Sequence, residues 1–144
     1  RQTGHSIIGV EQIPPEMSRS YGIVGVADGD GQAKKIHTIV EKPAPEDAPS
    51  NLGVVGRYIL SPDIFKHLHQ VEKGAGGEIQ LTDGIAGMLT AGDVLALPFE
   101  GVRYDCGSHK GFIKATIGYA LENDSLRQEI LDHMAHLLQE EGCS

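Results

Sequence analysis

The period-two alternation of apolar and polar positions is clearest over Ile36-His37-Thr38-Ile39-Val40-Glu41, where β-branched residues dominate, and it predicts a strand. Pro43 stops that strand, since proline offers no N–H to a ladder and biases the residue before it to extended geometry. Shorter apolar runs predict further strands at Ser6–Val10, Tyr21–Val26, Val54–Leu60 and Val94–Phe99, the last at a sheet edge because of Pro98. The period lengthens to that of a helix at Ile64, Phe65, Leu68 and Val71, which Ser61-Pro62-Asp63 opens as cap, first-turn proline and acid and Gly74 closes. A second helix carries Ile85, Met88 and Leu89 between a Thr82 cap and Gly92, and a third, from Lys110 to Glu122, buries Ile113, Ile117, Ala120 and Leu121. The last helix starts at a Ser125/Gln128 capping box and carries a stripe of Leu126, Ile130, Leu131, Met134, Leu137 and Leu138, which packs either on its own domain or on a partner subunit. Strands and helices alternate through the second half, and that implies an α/β sandwich with a mixed sheet.

Asp28-Gly29-Asp30-Gly31 is a turn that joins Tyr21–Val26 to Lys35–Lys42 as an antiparallel hairpin. It is no calcium loop, because the spacing from Asp28 asks for a glutamate where Ile39 stands. Gly74-Ala75-Gly76-Gly77 lacks the Lys-Ser/Thr end of a phosphate loop and the glycine that a dinucleotide fingerprint needs at Ile79, so it reads as a connector.

The 144 residues suffice for one domain with a sizeable core, and no apolar run approaches the roughly 18 residues that span a membrane. A net charge of −8 argues against nucleic acid as a partner; phosphate binding must then come from a few placed cations or a metal. Cys106 and Cys143 lie outside any paired motif and read as free thiols in a reducing cytoplasm. Arg1-Gln2-Thr3-Gly4 shows neither an initiator methionine nor a signal pattern, which suggests a fragment or a processed chain.

Candidate chemistry is concentrated at two places. Glu41 and Lys42 stand side by side at the stop of their strand, where side chains point to opposite faces. The two are therefore expected not to pair with each other. They read either as a solvated strand end or as groups that address two parts of one ligand, a carboxylate for hydroxyls and an ammonium for an anion. Asp105, after Val102-Arg103-Tyr104, is either a magnesium ligand beyond a strand end or an Asx turn before the next helix. Gly22 inside its strand marks either crowding or the close approach of a ligand. The histidine pairs His67/His69 and His133/His136 lack zinc-site spacing, and no Gly-x-Ser-x-Gly elbow is present.

The segments Gly4-His5-Ser6-Ile7-Ile8-Gly9-Val10-Glu11, Tyr21-Gly22-Ile23-Val24, Val40-Glu41-Lys42-Pro43, Ser50-Asn51-Leu52-Gly53-Val54-Val55-Gly56-Arg57-Tyr58, Gly77-Glu78-Ile79-Gln80-Leu81-Thr82-Asp83 and Arg103-Tyr104-Asp105-Cys106-Gly107-Ser108 run in one order over most of the chain. Together they resemble the bacterial UTP–glucose-1-phosphate uridylyltransferases, and the Gly-Glu-Ile-Gln-Leu-Thr-Asp and Tyr-Asp-Cys-Gly wordings separate them from the related thymidylyltransferases. The resemblance implies part of a Rossmann-like nucleotidyltransferase sandwich, with residues 1–122 as its sugar-phosphate part and 123–144 as a C-terminal amphipathic helix. It implies that glucose 1-phosphate and UTP give UDP-glucose and pyrophosphate with Mg2+, in a cytoplasmic homo-oligomer. Carried over by position, Glu41 would accept from glucose hydroxyls, Lys42 would meet the sugar phosphate as the catalytic cation, Gly22 and Val54 would border the sugar, and Asp105 would be one metal ligand.

The family's N-terminal half, with its glycine-rich nucleotide loop, base-reading residues and other metal-binding aspartate, has no counterpart in these 144 residues. The chain alone is therefore expected not to turn over and to expose apolar surface. A non-catalytic sugar-phosphate or oligomerisation module, or a thymidylyltransferase, stays open as the alternative, because the base is chosen in the other half.

Overall fold

The computed structural model describes residues 4–28, 31–73, 77–90 and 94–141. Gly29 and Asp30 of the hairpin turn, Gly74-Ala75-Gly76, Gly92 and Cys143 lie outside the described residues. By backbone contacts the chain divides into two compact units, one ending at Glu100 and one beginning at Gly101.

The first unit contains five strands among the described residues: β1 (Ser6–Gln12), β2 (Gly22–Val26), β3 (Lys34–Glu41), β4 (Leu52–Ile59) and β5 (Val94–Pro98). Two short α-helices, α1 (Ile64–Leu68) and α2 (Leu81–Met88), lie between β4 and β5, and a 3-10 helix, Pro15–Ser20, between β1 and β2. The sheet is mixed, as the alternation of elements implied. β1 runs parallel to β5 and antiparallel to β4, and the hairpin β2–β3 is antiparallel. The ladder continues from β4 to β2 and from β3 to β5, so the five strands close in the order β1-β4-β2-β3-β5. Closure removes the exposed edges that an open sheet would leave unpaired.

β5 is therefore not the edge strand that Pro98 suggested. It pairs with β1 along Val94–Pro98, whereas β3 reaches only Leu95 and Ala96, so Pro98 sits where no second neighbour needs its N–H. The core is made by Ile8 and Val10 of β1, Val24 of β2, Ile36 and Ile39 of β3, Val54 of β4 and Val94 and Ala96 of β5, closed over by Ile64, Ile85 and Met88 from α1 and α2. Burial of each of the valine, isoleucine and methionine side chains is worth about 1.5–3 kcal/mol.

Two bulges re-aim side chains. In β3 the pairing slips so that Gly25 faces Thr38 and Val26 faces Ile36, which leaves His37 as an extra residue. The simple alternation expected over 36–41 breaks there: Ile36 and Ile39 are both buried, and Val40 is exposed. In β4, Val54 pairs with Val10 but Tyr58 with Ile8, and Gly56 between them has φ +75°, the left-handed region that glycine enters without strain. Beyond that bulge β4 leaves the core. Tyr58 and Ile59, expected inside, are 38% and 69% exposed.

Several local expectations are corrected. Ser61 does not cap α1 with its hydroxyl; the helix starts at Ile64, and the Ser61 N–H donates to Ser6 Oγ instead. Phe65, expected on the buried face of α1, is exposed, because a helix of one and a half turns offers only one narrow face to the core, with Ile64 buried and Leu68 partly buried.

The second unit is a helix pair, α3 (His109–Glu122) and α4 (Arg127–Glu141). Ser108 caps α3 by accepting from the Gly111 N–H at 3.1 Å. Ile113 is exposed and Ala115 takes the buried position instead, while Ile117, Ala120 and Leu121 are half-buried. The Ser125/Gln128 capping box does not form. Asn123 replaces it, its carbonyl accepting from the Leu126 and Arg127 N–H groups and its Oδ1 from Ser125, while Gln128 donates to Asp132 one turn on. The α4 stripe is only partly covered: Ile130 and Met134 are half-buried, and Leu126, Leu131, Leu137 and Leu138 are exposed.

Candidate sugar-phosphate site

Sheet register sets the site. Gly22, at the start of β2, pairs directly with Glu41, at the end of β3. A Cβ added to Gly22 would lie 3.0 Å from Thr82 Cγ2, 3.2 Å from Glu41 Oε2 and 3.7 Å from Val54 Cγ2. Three of the positions singled out from sequence, Gly22, Glu41 and Val54, thus meet at one point, and the space at that point exists because residue 22 has no side chain.

The fourth residue there, Thr82, was read from sequence as a helix cap. The residue that precedes α2 is Gln80, and Thr82 lies inside the helix as its second residue. Its side chain is buried and its hydroxyl donates to Glu41 Oε2 at 2.9 Å. The signal was present in the Gly-Glu-Ile-Gln-Leu-Thr-Asp wording, but the 41-residue separation of the partners is invisible to any local rule.

Lys42 departs from its expected geometry. The residue has φ +46°, and no other described non-glycine residue has positive φ. Such a backbone is strained for a side chain with a Cβ and persists only where its surroundings hold it. Two hydrogen bonds do so. The Lys42 N–H donates to Tyr21 O at 2.9 Å, and the buried Ser18 hydroxyl donates to Pro43 O at 2.9 Å. Ser18 comes from the 3-10 helix, a segment whose sequence carries no periodic signal.

The left-handed residue also ends strand alternation, so Glu41 and Lys42 do not diverge. Lys42 Nζ lies 3.8 Å from Glu41 Oε1, with the lysine side chain 61% and the glutamate 29% exposed. The expectation that they do not pair is overturned; the alternating rule holds only while φ and ψ stay extended. At that exposure the pair contributes little stability, well under about 1 kcal/mol. Its consequence is to set an anion acceptor and a cation a few ångströms apart, open to solvent. Tyr58 also feels this carboxylate: its phenol is held protonated above the ordinary range, first by burial and then by the charge of Glu41.

Asp105, in the second unit, is exposed and belongs to no strand. Its Oδ1 accepts from the Gly107 N–H at 3.1 Å and its carbonyl from Ser108 Oγ at 3.3 Å, so it forms the Asx turn before α3. Gly111 sits so close to the Asp105 carbonyl that a Cβ there would overlap it. Tyr104 lies over Gly118, with its ring 5.9 Å from that of Tyr119, and holds the segment on α3. An Asx turn does not exhaust a carboxylate, which has about four acceptor directions. Among the described residues no group of three or more His, Cys, Asp or Glu is arranged to hold a metal. His136 does meet one carboxylate, that of Glu140 one turn on, at 3.5 Å.

Apolar exposure is present, as expected. Ile59 and Phe99 border a cavity of about 530 Å³ with Ile7, Arg57, Leu97 and Glu100, and none of the residues at Gly22 lines it. Among the described residues no helix is long and apolar enough to cross a membrane.

The nucleotidyl transferase family profile matches residues 2–122. The UTP–glucose-1-phosphate uridylyltransferase of Staphylococcus haemolyticus is 43% identical over 136 residues, 94% of this chain and 47% of the relative. A UDP-glucose pyrophosphorylase solved with UDP-glucose superposes with a TM-score of 0.78 at 40% identity, over 83% of this chain and 46% of the other. A UTP-bound enzyme of the same kind from Acinetobacter baumannii superposes with a TM-score of 0.80 at 38% identity, over 94% of this chain and 47% of the other. The chain spans about half the length of the relatives it matches.

Proposed function

The chain belongs to the nucleotidyl transferase family, and from that membership we propose that it supplies the sugar-phosphate site of a UTP–glucose-1-phosphate uridylyltransferase. The observation that carries the reading is the convergence of Gly22, Glu41, Val54 and Thr82 beside the strained Lys42. In the proposed reaction a phosphate oxygen of glucose 1-phosphate attacks the α-phosphorus of UTP. One P–O bond forms, the bond to pyrophosphate breaks, and UDP-glucose results. Such a displacement needs alignment and neutralised charge rather than covalent help. Glu41 accepts hydrogen bonds from glucose hydroxyls, which orients the ring. The missing side chain of Gly22 lets the ring approach, and Val54 forms its apolar border. Lys42 meets the phosphate, which lowers the repulsion between two anions and makes it the catalytic cation.

Asp105 fits magnesium as one ligand, because this ion takes only one or two carboxylates and completes its shell with phosphate oxygens and water. When bound it supplies charge neutralisation on the phosphates. The same reading places the protein in the cytoplasm, as a homo-oligomer to which the exposed leucines of α4 contribute.

Calorimetric titration of the 144-residue chain with glucose 1-phosphate tests the site. Binding is expected, and Glu41→Ala weakens it through the sugar while Lys42→Ala weakens it through the phosphate. Absence of binding by the folded chain, or both variants binding like the parent, overturns the assignment. No UDP-glucose is expected from the 144-residue chain with UTP, since it contains no phosphate-loop fingerprint.

A further inference from the structure

Glu41 can serve a sugar only if its carboxylate is held in one orientation, and the structure shows what holds it. Oε2 accepts from Thr82 Oγ1 at 2.9 Å; Oε1 faces Lys42 Nζ at 3.8 Å, beyond hydrogen-bond distance. One oxygen is thus fixed from behind by α2, and the other is left to accept from something in the solvent-open site. The Thr82 side chain is buried, and a buried hydroxyl must find a partner. At the second position of α2 there is no helical carbonyl one turn back for the hydroxyl to bond, and it reaches across to another element. Its methyl meets the same point from the other side, 3.0 Å from where a Gly22 Cβ would stand. Thr82 belongs to the first turn of α2, whose exposed N–H groups also favour a neighbouring carboxylate.

We propose that Thr82 is a positioning residue for the sugar-phosphate site, whose hydroxyl locks the Glu41 carboxylate so that Oε1 is presented to the sugar. The inference rests on the sugar-phosphate reading of Glu41. It gives α2 a functional role. The helix sets the direction of the carboxylate that meets the sugar.

The test compares Thr82→Val, which keeps the shape and loses the hydroxyl, with Thr82→Ser, which keeps the hydroxyl and loses the methyl. Affinity for glucose 1-phosphate is expected to fall about tenfold or more in Thr82→Val, as for a lost hydrogen bond to a charged group, and to stay within about threefold of the parent in Thr82→Ser. Affinity for inorganic phosphate, which engages the Lys42 end alone, is expected to be unchanged in both. A Thr82→Val chain that binds the sugar phosphate like the parent overturns the proposal. So does an equal loss in the Val and Ser variants, or a parallel loss of inorganic phosphate, since either would mean that the threonine only maintains the fold.

The carboxylate carbon of Glu41, observed by NMR in the ligand-free chain, separates this failure from that of the reading beneath it. A signal moved in Thr82→Val and restored in Thr82→Ser supports the lock even where the parent chain binds no glucose 1-phosphate, in which case only the sugar-phosphate reading falls. A signal that stays put in Thr82→Val overturns the lock itself.

Discussion

Gly22→Ala tests whether the space at residue 22 is functional or merely a crowded spot in the sheet. The added methyl would lie 3.0 Å from Thr82 Cγ2 and 3.2 Å from Glu41 Oε2, short of the roughly 3.5–4.0 Å at which carbon atoms rest in contact. Something must give by a few tenths of an ångström. Thr82 is β-branched, buried and inside a helix, so its side chain has little freedom; Glu41 ends a strand and is partly exposed, so its carboxylate yields. That movement weakens the Thr82–Glu41 bond and places a methyl where the proposed site would admit the sugar. Loss of a hydrogen bond to a charged group is worth about 1.5–3 kcal/mol, which is about 10- to 150-fold in affinity. Stability should change less, by about 1 kcal/mol, because overpacking is partly offset by the smaller backbone freedom of alanine in the unfolded chain. The same strand contains the control. A Cβ on Gly25 would lie 2.6 Å from Thr38 Cγ2 and 2.7 Å from His37 Cε1, a worse clash, but at the β3 bulge and away from Glu41. Gly25→Ala should therefore destabilise more, by about 1–3 kcal/mol, and leave sugar-phosphate affinity alone. Titration calorimetry with glucose 1-phosphate and urea unfolding of both variants separate the two effects. Gly22→Ala binding within about twofold of the parent, or both variants losing affinity in proportion to stability, refutes the argument.

Lys42→Gly removes the strain of a left-handed side-chain residue and should raise stability by about 1 kcal/mol in urea unfolding while phosphate affinity falls; a loss of stability would show that the conformation is not strained. The Tyr58 phenol titrates above its unfolded value of 10.0, so its contribution to stability is intact below that pH and is lost as pH rises through the folded value, where the unfolded chain has already released the proton. Tyr58→Phe should accordingly flatten the fall in urea midpoint as pH rises above the unfolded value of 10.0, and an unchanged slope would contradict the shift. Gly111→Ala collides with the Asp105 carbonyl, so hydrogen exchange at the Gly107 and Gly111 amides should accelerate; unchanged protection would mean that the turn before α3 tolerates the methyl.

Much of the element list was legible in the sequence, because strands and helices are declared by short-range periodicity: the hairpin of β2 and β3, the apolar run of β1 and the third and fourth helices stand where their patterns put them. The candidate residues Gly22, Glu41, Lys42 and Asp105 stand out by position and residue type, each with two open readings, and segment wording adds Val54 and a choice between those readings. What only the tertiary structure decided depends on partners distant in the chain. Pro98 suggests an edge until β3 is seen to stop short of it. Thr82 resembles a cap until a carboxylate 41 residues away claims its hydroxyl. Lys42 should be extended before a proline, yet hydrogen bonds that involve Tyr21 and Ser18 hold the chain in the left-handed region and turn the lysine back toward Glu41. Local propensities amount to about 1 kcal/mol per residue, so two hydrogen bonds and a packed sheet can override them. The chain order thus determined which groups were available, and the closure of the sheet on α2 determined which of them meet.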